Sequence, residues 1–411
     1  MIVIFTRKIL AFREFFANFD DGFAQPVIQT YPYAHLKIHN PRTPLNSHRR
    51  AYRELVITSS EILTFDQLKR GDWRAKDQTW EAALRFCQQW LHGEEYFTLK
   101  TSGSTGAPKE IQVHRELMRK SAAATKKYLG LRIGCTLLCN LNTDMIAGKM
   151  MLVRAMEWKG CLFLRTPSSV ISCPIREIDI DFGAVVPMQL QASMEDPDGL
   201  KTLNRIANLL VGGAPTPPSL RQKLKSLKGR VFQTFGMTET VSHIAMADLK
   251  ASGPLLYKAL PGVKFSQSES GKLVIKAPMA IAQTVYTNDV VELMDSTTFE
   301  WKGRADFVVN SGGVKLYPEL IEEEMEPYWR KYFPHNRFFI WKTSDKLLGE
   351  ALLLVTERVT TDNPDMNDFL ITIGLHLPKY HIPKRILSVD TFKMTASSKI
   401  NKLETLKPFH K

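Results

Sequence analysis

The run Thr101-Ser102-Gly103-Ser104-Thr105-Gly106-Ala107-Pro108-Lys109 puts hydroxyl side chains, two glycines and a lysine into nine residues. It lies between an apolar strand-like stretch, Tyr96 to Leu99, and a helical one, Arg115 to Leu129. Glycines let a backbone approach an anion closely, exposed N–H groups and hydroxyls donate to phosphate oxygens, and the lysine adds a mobile positive charge. The composition is that of a polyphosphate cradle joining a strand to a helix. Its spacing, Gly-x-x-Gly-x-Pro-Lys, differs from the Gly-x-x-x-x-Gly-Lys-Ser/Thr nucleotide loop, so the fold that carries that loop is not inferred. Read alone, a Gly/Ser/Thr run is more often a solvated surface loop than a site.

The rest of the chain bears on that choice. At 411 residues it is too long for one simple core and suggests two or three domains. A hydrophobic content of 44% with 24% charged residues is ordinary for a globular protein. Charges at Arg7, Lys8, Arg13 and Glu14 break the apolar Ile2 to Phe5 start before a signal-peptide core forms, and no run reaches the roughly 20 apolar residues of a membrane span. The expectation is a cytoplasmic enzyme. Five cysteines, Cys87, Cys135, Cys139, Cys161 and Cys173, contain no CxxC pair and read as small buried apolar residues. A net charge of +13 arises from scattered basic residues without a nucleic-acid motif, so attraction of anionic small substrates is preferred to nucleic acid as a partner.

Apolar runs bounded by turn residues at Thr136–Leu141, Cys161–Leu164, Gly183–Val186 and Asn208–Val211 alternate with helical patterns, which predicts an α/β sheet. From Val231 onward shorter strands follow, Lys272–Ile275, Thr284–Tyr286, Val290–Met294 and Thr298–Trp301, suggesting a β-rich subdomain. The character changes again near Gly303-Arg304-Ala305-Asp306. A division into residues 1–305 and a C-terminal α+β domain of residues 306–411 is therefore expected.

Four further clusters carry chemistry. Phe235-Gly236-Met237-Thr238-Glu239-Thr240 sets an aromatic face beside a hydroxyl and a carboxylate suited to phosphate and its magnesium ion. In Tyr286-Thr287-Asn288-Asp289 a strand-end carboxylate faces ribose hydroxyls or simply caps a turn. Gly303 to Glu322 reads as a strand, a Gly312-Gly313 turn and a proline-started helix. Thr395 to Lys402 is a polar loop with Lys399 in its middle.

In this order the clusters resemble the acyl-adenylate-forming enzymes, over roughly residues 96–402. The resemblance implies a large N-terminal α/β domain with a β-rich subdomain and a small mobile C-terminal α+β domain. It implies ATP, Mg2+ and coenzyme A as co-substrates and cofactor, and a small carboxylic acid as partner. By this likeness Thr101, Ser102, Gly103, Ser104, Thr105, Gly106 and Lys109 hold the outer phosphates of ATP. Gly212, Gly213, Ala214 and Pro215 line the adenine pocket, with Phe235 stacking on the base after the turn at Gly236. Thr238 meets the α-phosphate, Glu239 holds the metal, and Asp289 and Arg304 bind the ribose. Asp306 is the hinge, Gly312 and Gly313 face the CoA thiol, and Lys399 bridges acid and α-phosphate as the catalytic lysine. Glu110, Phe235, Asn288 and Ser398 depart from the common pattern, Ser398 standing where a glycine usually precedes the lysine.

The short region ahead of the phosphate loop, the Gly-Met-Thr-Glu-Thr-Val-Ser-His run and the Gly148 to Arg154 segment are similar to the o-succinylbenzoate-CoA ligases of menaquinone biosynthesis. A dicarboxylic acid needs a cation for its non-reacting carboxylate, and Arg154 or Lys149 is expected to supply it near Ser242 and His243. A helix surface is the alternative reading of both. Asn142-Thr143-Asp144-Met145 replaces the histidine-bearing segment usual there. A ligase for another aryl or acyl acid, an adenylating enzyme that loads a separate carrier protein, and a homodimer are left open.

Overall fold

The computed structural model describes residues 54–100, 110–175, 177–361, 363–395 and 400–409. The Thr101–Lys109 cradle and the Lys399 loop position therefore lie outside the described residues.

Fully buried strands with apolar side chains on both faces build the centre. Cys161–Leu164 and Asn208–Val211 are buried at every position, as expected of parallel strands covered by helices on both sides. In space the parallel strands run Leu55–Ile57, Cys161–Leu164, Thr136–Cys139, Phe182–Val185, Asn208–Val211 and Arg230–Gly236. Beyond Arg230–Gly236 the same sheet turns antiparallel through His243–Asp248, Leu256–Ala259, Thr298–Arg304, Val285–Asp295, Lys272–Lys276 and Lys264–Gln267. With Ile62–Thr64 on the far edge it counts 13 strands. The β-rich stretch is thus continuous with the central sheet.

Two expectations change. The segment after the Gly-rich run is a strand before it is a helix: Glu110–His114 pairs antiparallel with Tyr96–Lys100, and the Arg115–Leu129 helix starts only after that ribbon. Glu-Ile-Gln-Val-His alternates polar and apolar residues, the period-two pattern of a strand with one face covered. Thr284–Tyr286 and Val290–Met294 are one strand, Val285–Asp295, with irregular register at Val290/Val291. Against strand Lys272–Lys276 the register also shifts between Tyr286 and Val290, a bulge that accommodates Asn288-Asp289 without ending the strand.

The helix Ile146–Glu157 buries every residue from Met150 to Met156. It packs against helices Glu81–His92 and Arg115–Leu129 on one side and strands Thr136–Cys139 and Cys161–Leu164 on the other. Gly148 permits this seat, because a Cβ there would lie 2.2 Å from the Asn142 carbonyl oxygen.

The chain leaves the large sheet at Arg304, passes a short 3-10 turn, Ala305–Phe307, and enters a second sheet at Val309. That sheet has five strands: Val309–Ser311, Val314–Leu316, Phe338–Asp345, Gly349–Glu357 and Arg385–Val389. Helices Pro318–Tyr332 and Pro364–His376 cover it over Ile321, Met325, Trp329, Phe369 and Ile373. The architecture is a large mixed α/β part followed by a small C-terminal α+β part.

Candidate active site

Ligands of open α/β sheets bind outside the carboxyl ends of the strands. Two of the expected segments leave neighbouring strands at that edge. Gly212 to Pro215 follows Asn208–Val211, and Met237 to Thr240 follows Arg230–Gly236. One buried side chain ties them: Gln233 Nε2 donates to Ala214 O at 3.1 Å and to Val211 O at 3.3 Å. Its Oε1 accepts from Thr216 N at 2.9 Å and Thr216 Oγ1 at 2.6 Å. Gln233 had no role in the sequence reading. Its signal was a long polar amide following the apolar pair Val231-Phe232 in a strand.

Phe235 is half-buried, its ring in edge contact with Phe299 at 5.1 Å and Tyr257 at 5.7 Å between centroids. At Gly236 a side chain has no room, since a Cβ would come 2.4 Å from Ser242 O. The strand therefore passes directly against the Ser242-His243 backbone. Thr238 to Thr240 forms a 3-10 turn in which Glu239 is exposed and its carbonyl accepts from Ile281 N at 2.9 Å. An exposed carboxylate at this edge fits a hydrated magnesium ion, which retains several waters and needs one or two protein carboxylates. Among the described residues no group of three metal-ligating side chains converges.

Asp289 is buried, faces Arg304 in strand register and accepts from Trp301 Nε1 at 3.0 Å. It lies within a strand rather than at a strand end. Arg304 Nη2 is paired with Asp306 Oδ2 at 2.8 Å, and Asn288 Nδ2 reaches the same carboxylate at 3.3 Å. The departure from glycine at Asn288 thus places an amide on the expected hinge residue. Gly312 and Gly313 make the turn between two strands of the small sheet, with φ of 57° and 85°.

Of the residues expected on the acid side, Arg154 and His243 are buried and meet beside Ser242, and Lys149 does not join them. Arg154 is 3% exposed, which rules out its helix-surface reading. Its Nη2 donates to Ser242 Oγ at 3.2 Å and lies 3.4 Å from His243 Nδ1, while the guanidinium sits 5.6 Å from the Phe182 ring centre. Its Nε is buried without a partner among the described residues. Burial pushes the guanidinium down to about 10. Burial, with Arg154 second, holds His243 well below the ordinary histidine range, so the ring is neutral. Lys149 is half-buried and donates to Thr98 O at 3.0 Å, away from the Arg154 cluster's hydrogen bonds.

A profile described as AMP-binding enzyme matches residues 36–280, more than half of the chain. The chain belongs to that family. A 2-succinylbenzoate–CoA ligase of Geobacillus sp. (strain WCH70) is 26% identical over 344 residues, 76% of this chain and 69% of that protein. The crystal structure of an AMP-forming acyl-CoA synthetase/AMP-acid ligase II-like protein from Dyadobacter fermentans DSM 18053 is 37% identical. It covers 82% of this chain and 97% of its own, with a TM-score of 0.56. An o-succinylbenzoate coenzyme A synthetase from Bacillus subtilis, solved with ATP and magnesium, is 21% identical over 75% of this chain and 69% of its own, with a TM-score of 0.62. The fold is that of the acyl-CoA synthetases, and the chain is an AMP-forming acid–thiol ligase of this adenylate-forming family. Among the described residues no helix is long and apolar enough to cross a membrane.

Proposed function

We propose that the protein joins o-succinylbenzoate to coenzyme A at the expense of ATP, a step of menaquinone (vitamin K2) synthesis. Buried Arg154 is the observation that supports this acid. An arginine under the sheet with only neutral partners among the described residues is costly to keep, and a carboxylate ligand compensates it. A dicarboxylic acid has one such group to spare after the other reacts.

The reacting carboxylate attacks the α-phosphorus of ATP, the bond to pyrophosphate breaks, and an acyl-adenylate results. The CoA thiol then attacks the acyl carbon and AMP leaves. Two anions meet in the first step, so charge neutralisation and positioning carry the catalysis. Glu239 would hold a magnesium ion, which would supply part of that neutralisation. In this reading the Thr101–Lys109 loop and Lys399 handle the phosphates, Phe235 offers its remaining face to adenine, and Asp289 with Arg304 takes the ribose. Residues 306–411 turn as a unit about Asp306 to bring Gly312-Gly313 to the thiol. The large sheet ends at Arg304 and the small one begins at Val309, which supports a pivot between them.

The test is pyrophosphate release with magnesium-ATP and CoA across a panel of mono- and dicarboxylic acids, with Lys399→Ala as control. Preference for o-succinylbenzoate, lost in Arg154→Gln, is expected. Turnover of a monocarboxylic acid indifferent to Arg154→Gln overturns the acid assignment and leaves a ligase for another aryl or acyl acid.

A further inference from the structure

Thr125 lies on the Arg115–Leu129 helix, wholly buried, two elements away from the expected nucleotide residues. Its hydroxyl has two short contacts. It donates to the Ser121 carbonyl at 3.0 Å, the i−4 back-bond common to threonine in helices, and it lies 3.0 Å from His243 Nε2. A hydroxyl has one proton, so with that proton on Ser121 O the oxygen accepts from the ring, and Nε2 carries the hydrogen. The opposite end of the imidazole requires the same arrangement. Nδ1 faces Arg154 Nη2 at 3.4 Å, and a guanidinium only donates, so Nδ1 presents its lone pair. Ser242 Oγ, 3.5 Å from Nδ1, receives its own bond from Arg154. One direction of donation therefore satisfies the whole chain from Arg154 to the helix backbone.

We propose that Thr125 is a positioning residue of the acid site: by accepting from Nε2–H it locks His243 in the tautomer whose bare Nδ1 steadies the Arg154 guanidinium. The relay stands on this geometry. Its consequence for the acid rests on the proposed role of Arg154. His243 acts as a neutral spacer, held by one helix and presenting an acceptor to another. The tautomer matters because an Nδ1–H would point a donor at a donor and release the arginine from one of its few partners. Second-sphere partners that fix a histidine's tautomer set what its other nitrogen can do.

The experiment uses the full chain with 15N-labelled histidine and arginine, the His243 signal being assigned by its loss in His243→Gln. In the unmodified protein the expected result is an Nε2-protonated, Nδ1-bare ring between pH 6 and 8, with an ordered Arg154 Nε–H by its heteronuclear NOE. Thr125→Val keeps shape and removes the acceptor. It is expected to mix the tautomers, lower the Arg154 NOE and raise KM for the acid about tenfold, with KM for ATP and kcat within twofold. Thr125→Ser is expected to restore all three. An Nδ1–H ring in the unmodified protein overturns the relay whether or not any variant folds. So does an Arg154 NOE unchanged in Thr125→Val. If the tautomer and the NOE respond while KM for the acid does not, the relay stands and the placing of the acid at Arg154 fails.

Discussion

Arg154 in the large part and Glu326 at its junction with the small part are both charged and both under a tenth exposed, at 3% and 8%. Their surroundings are opposite. Glu326 Oε2 accepts from Ser219 N at 3.1 Å, and Oε1 accepts from Ser219 Oγ at 2.6 Å and from Arg330 Nε at 3.3 Å. Beside it Arg221 pairs with Glu323, so helix Pro318–Tyr332 is fastened to helix Pro218–Lys223 by saturated charges. Arg154 meets a serine hydroxyl, a neutral imidazole and, at 3.9 Å, the Met151 sulfur. A buried charge whose bonding is complete serves the packing that completes it. One left short of an opposite charge among the described residues costs stability, and in the proposed function a carboxylate ligand compensates it.

The sharpest way to break this contrast is Arg154→Met, which keeps volume and removes charge. KM for the acid should rise about a hundredfold, roughly 2.7 kcal/mol of lost charge-assisted bonding. Stability by urea unfolding should be unchanged or about 1 kcal/mol higher, since an undercompensated charge leaves the interior. Several kcal/mol of destabilisation with an unaltered KM would reverse the assignment. Glu326→Ala should do the converse. It strands the Ser219 N–H and hydroxyl and one arginine nitrogen, at a cost of about 2–3 kcal/mol. KM for the acid should stay within twofold. A change in acid KM comparable to that of Arg154→Met would mean that the junction and the acid site are one unit.

Both regions differ in how far the sequence exposed them. Cys161–Leu164 and Asn208–Val211 were readable to the residue because continuous apolar runs between turn residues leave few alternatives. The turn that follows Gly236 was readable for a local reason too, a glycine between an aromatic and a Thr-Glu pair. Arg154 kept a surface alternative because its burial depends on two helices and a sheet distant in sequence. Thr125 is one residue within the helical stretch Arg115 to Leu129, and nothing near it names His243, 118 residues on. Glu110–His114 was passed over because a loop rich in glycine drew the boundary toward the helix. Sites built from backbone turns are legible locally, whereas those built from side chains meeting in the core become visible only with the fold.

Glu319 stands between the two extremes. It opens helix Pro318–Tyr332, and its Oε2 is buried without a hydrogen-bond partner among the described residues. Lys402 offers charge nearby but is itself paired with Glu322 at 2.6 Å. Burial pushes the Glu319 carboxyl up to about 7; Lys402 pulls it down and Glu322 pushes it further up. A carboxyl raised in the fold favours the fold while protonated. Its contribution is complete below the unfolded value near 4.5 and is lost as pH rises through about 7. Glu319→Gln should therefore leave stability unchanged at pH 4.5 and raise it at pH 8, by on the order of 2 kcal/mol. Denaturant midpoints across that range measure it. A gain equal at both ends would trace to packing rather than to charge, and a loss at pH 8 would show that Lys402 compensates Glu319 as fully as Ser219 does Glu326.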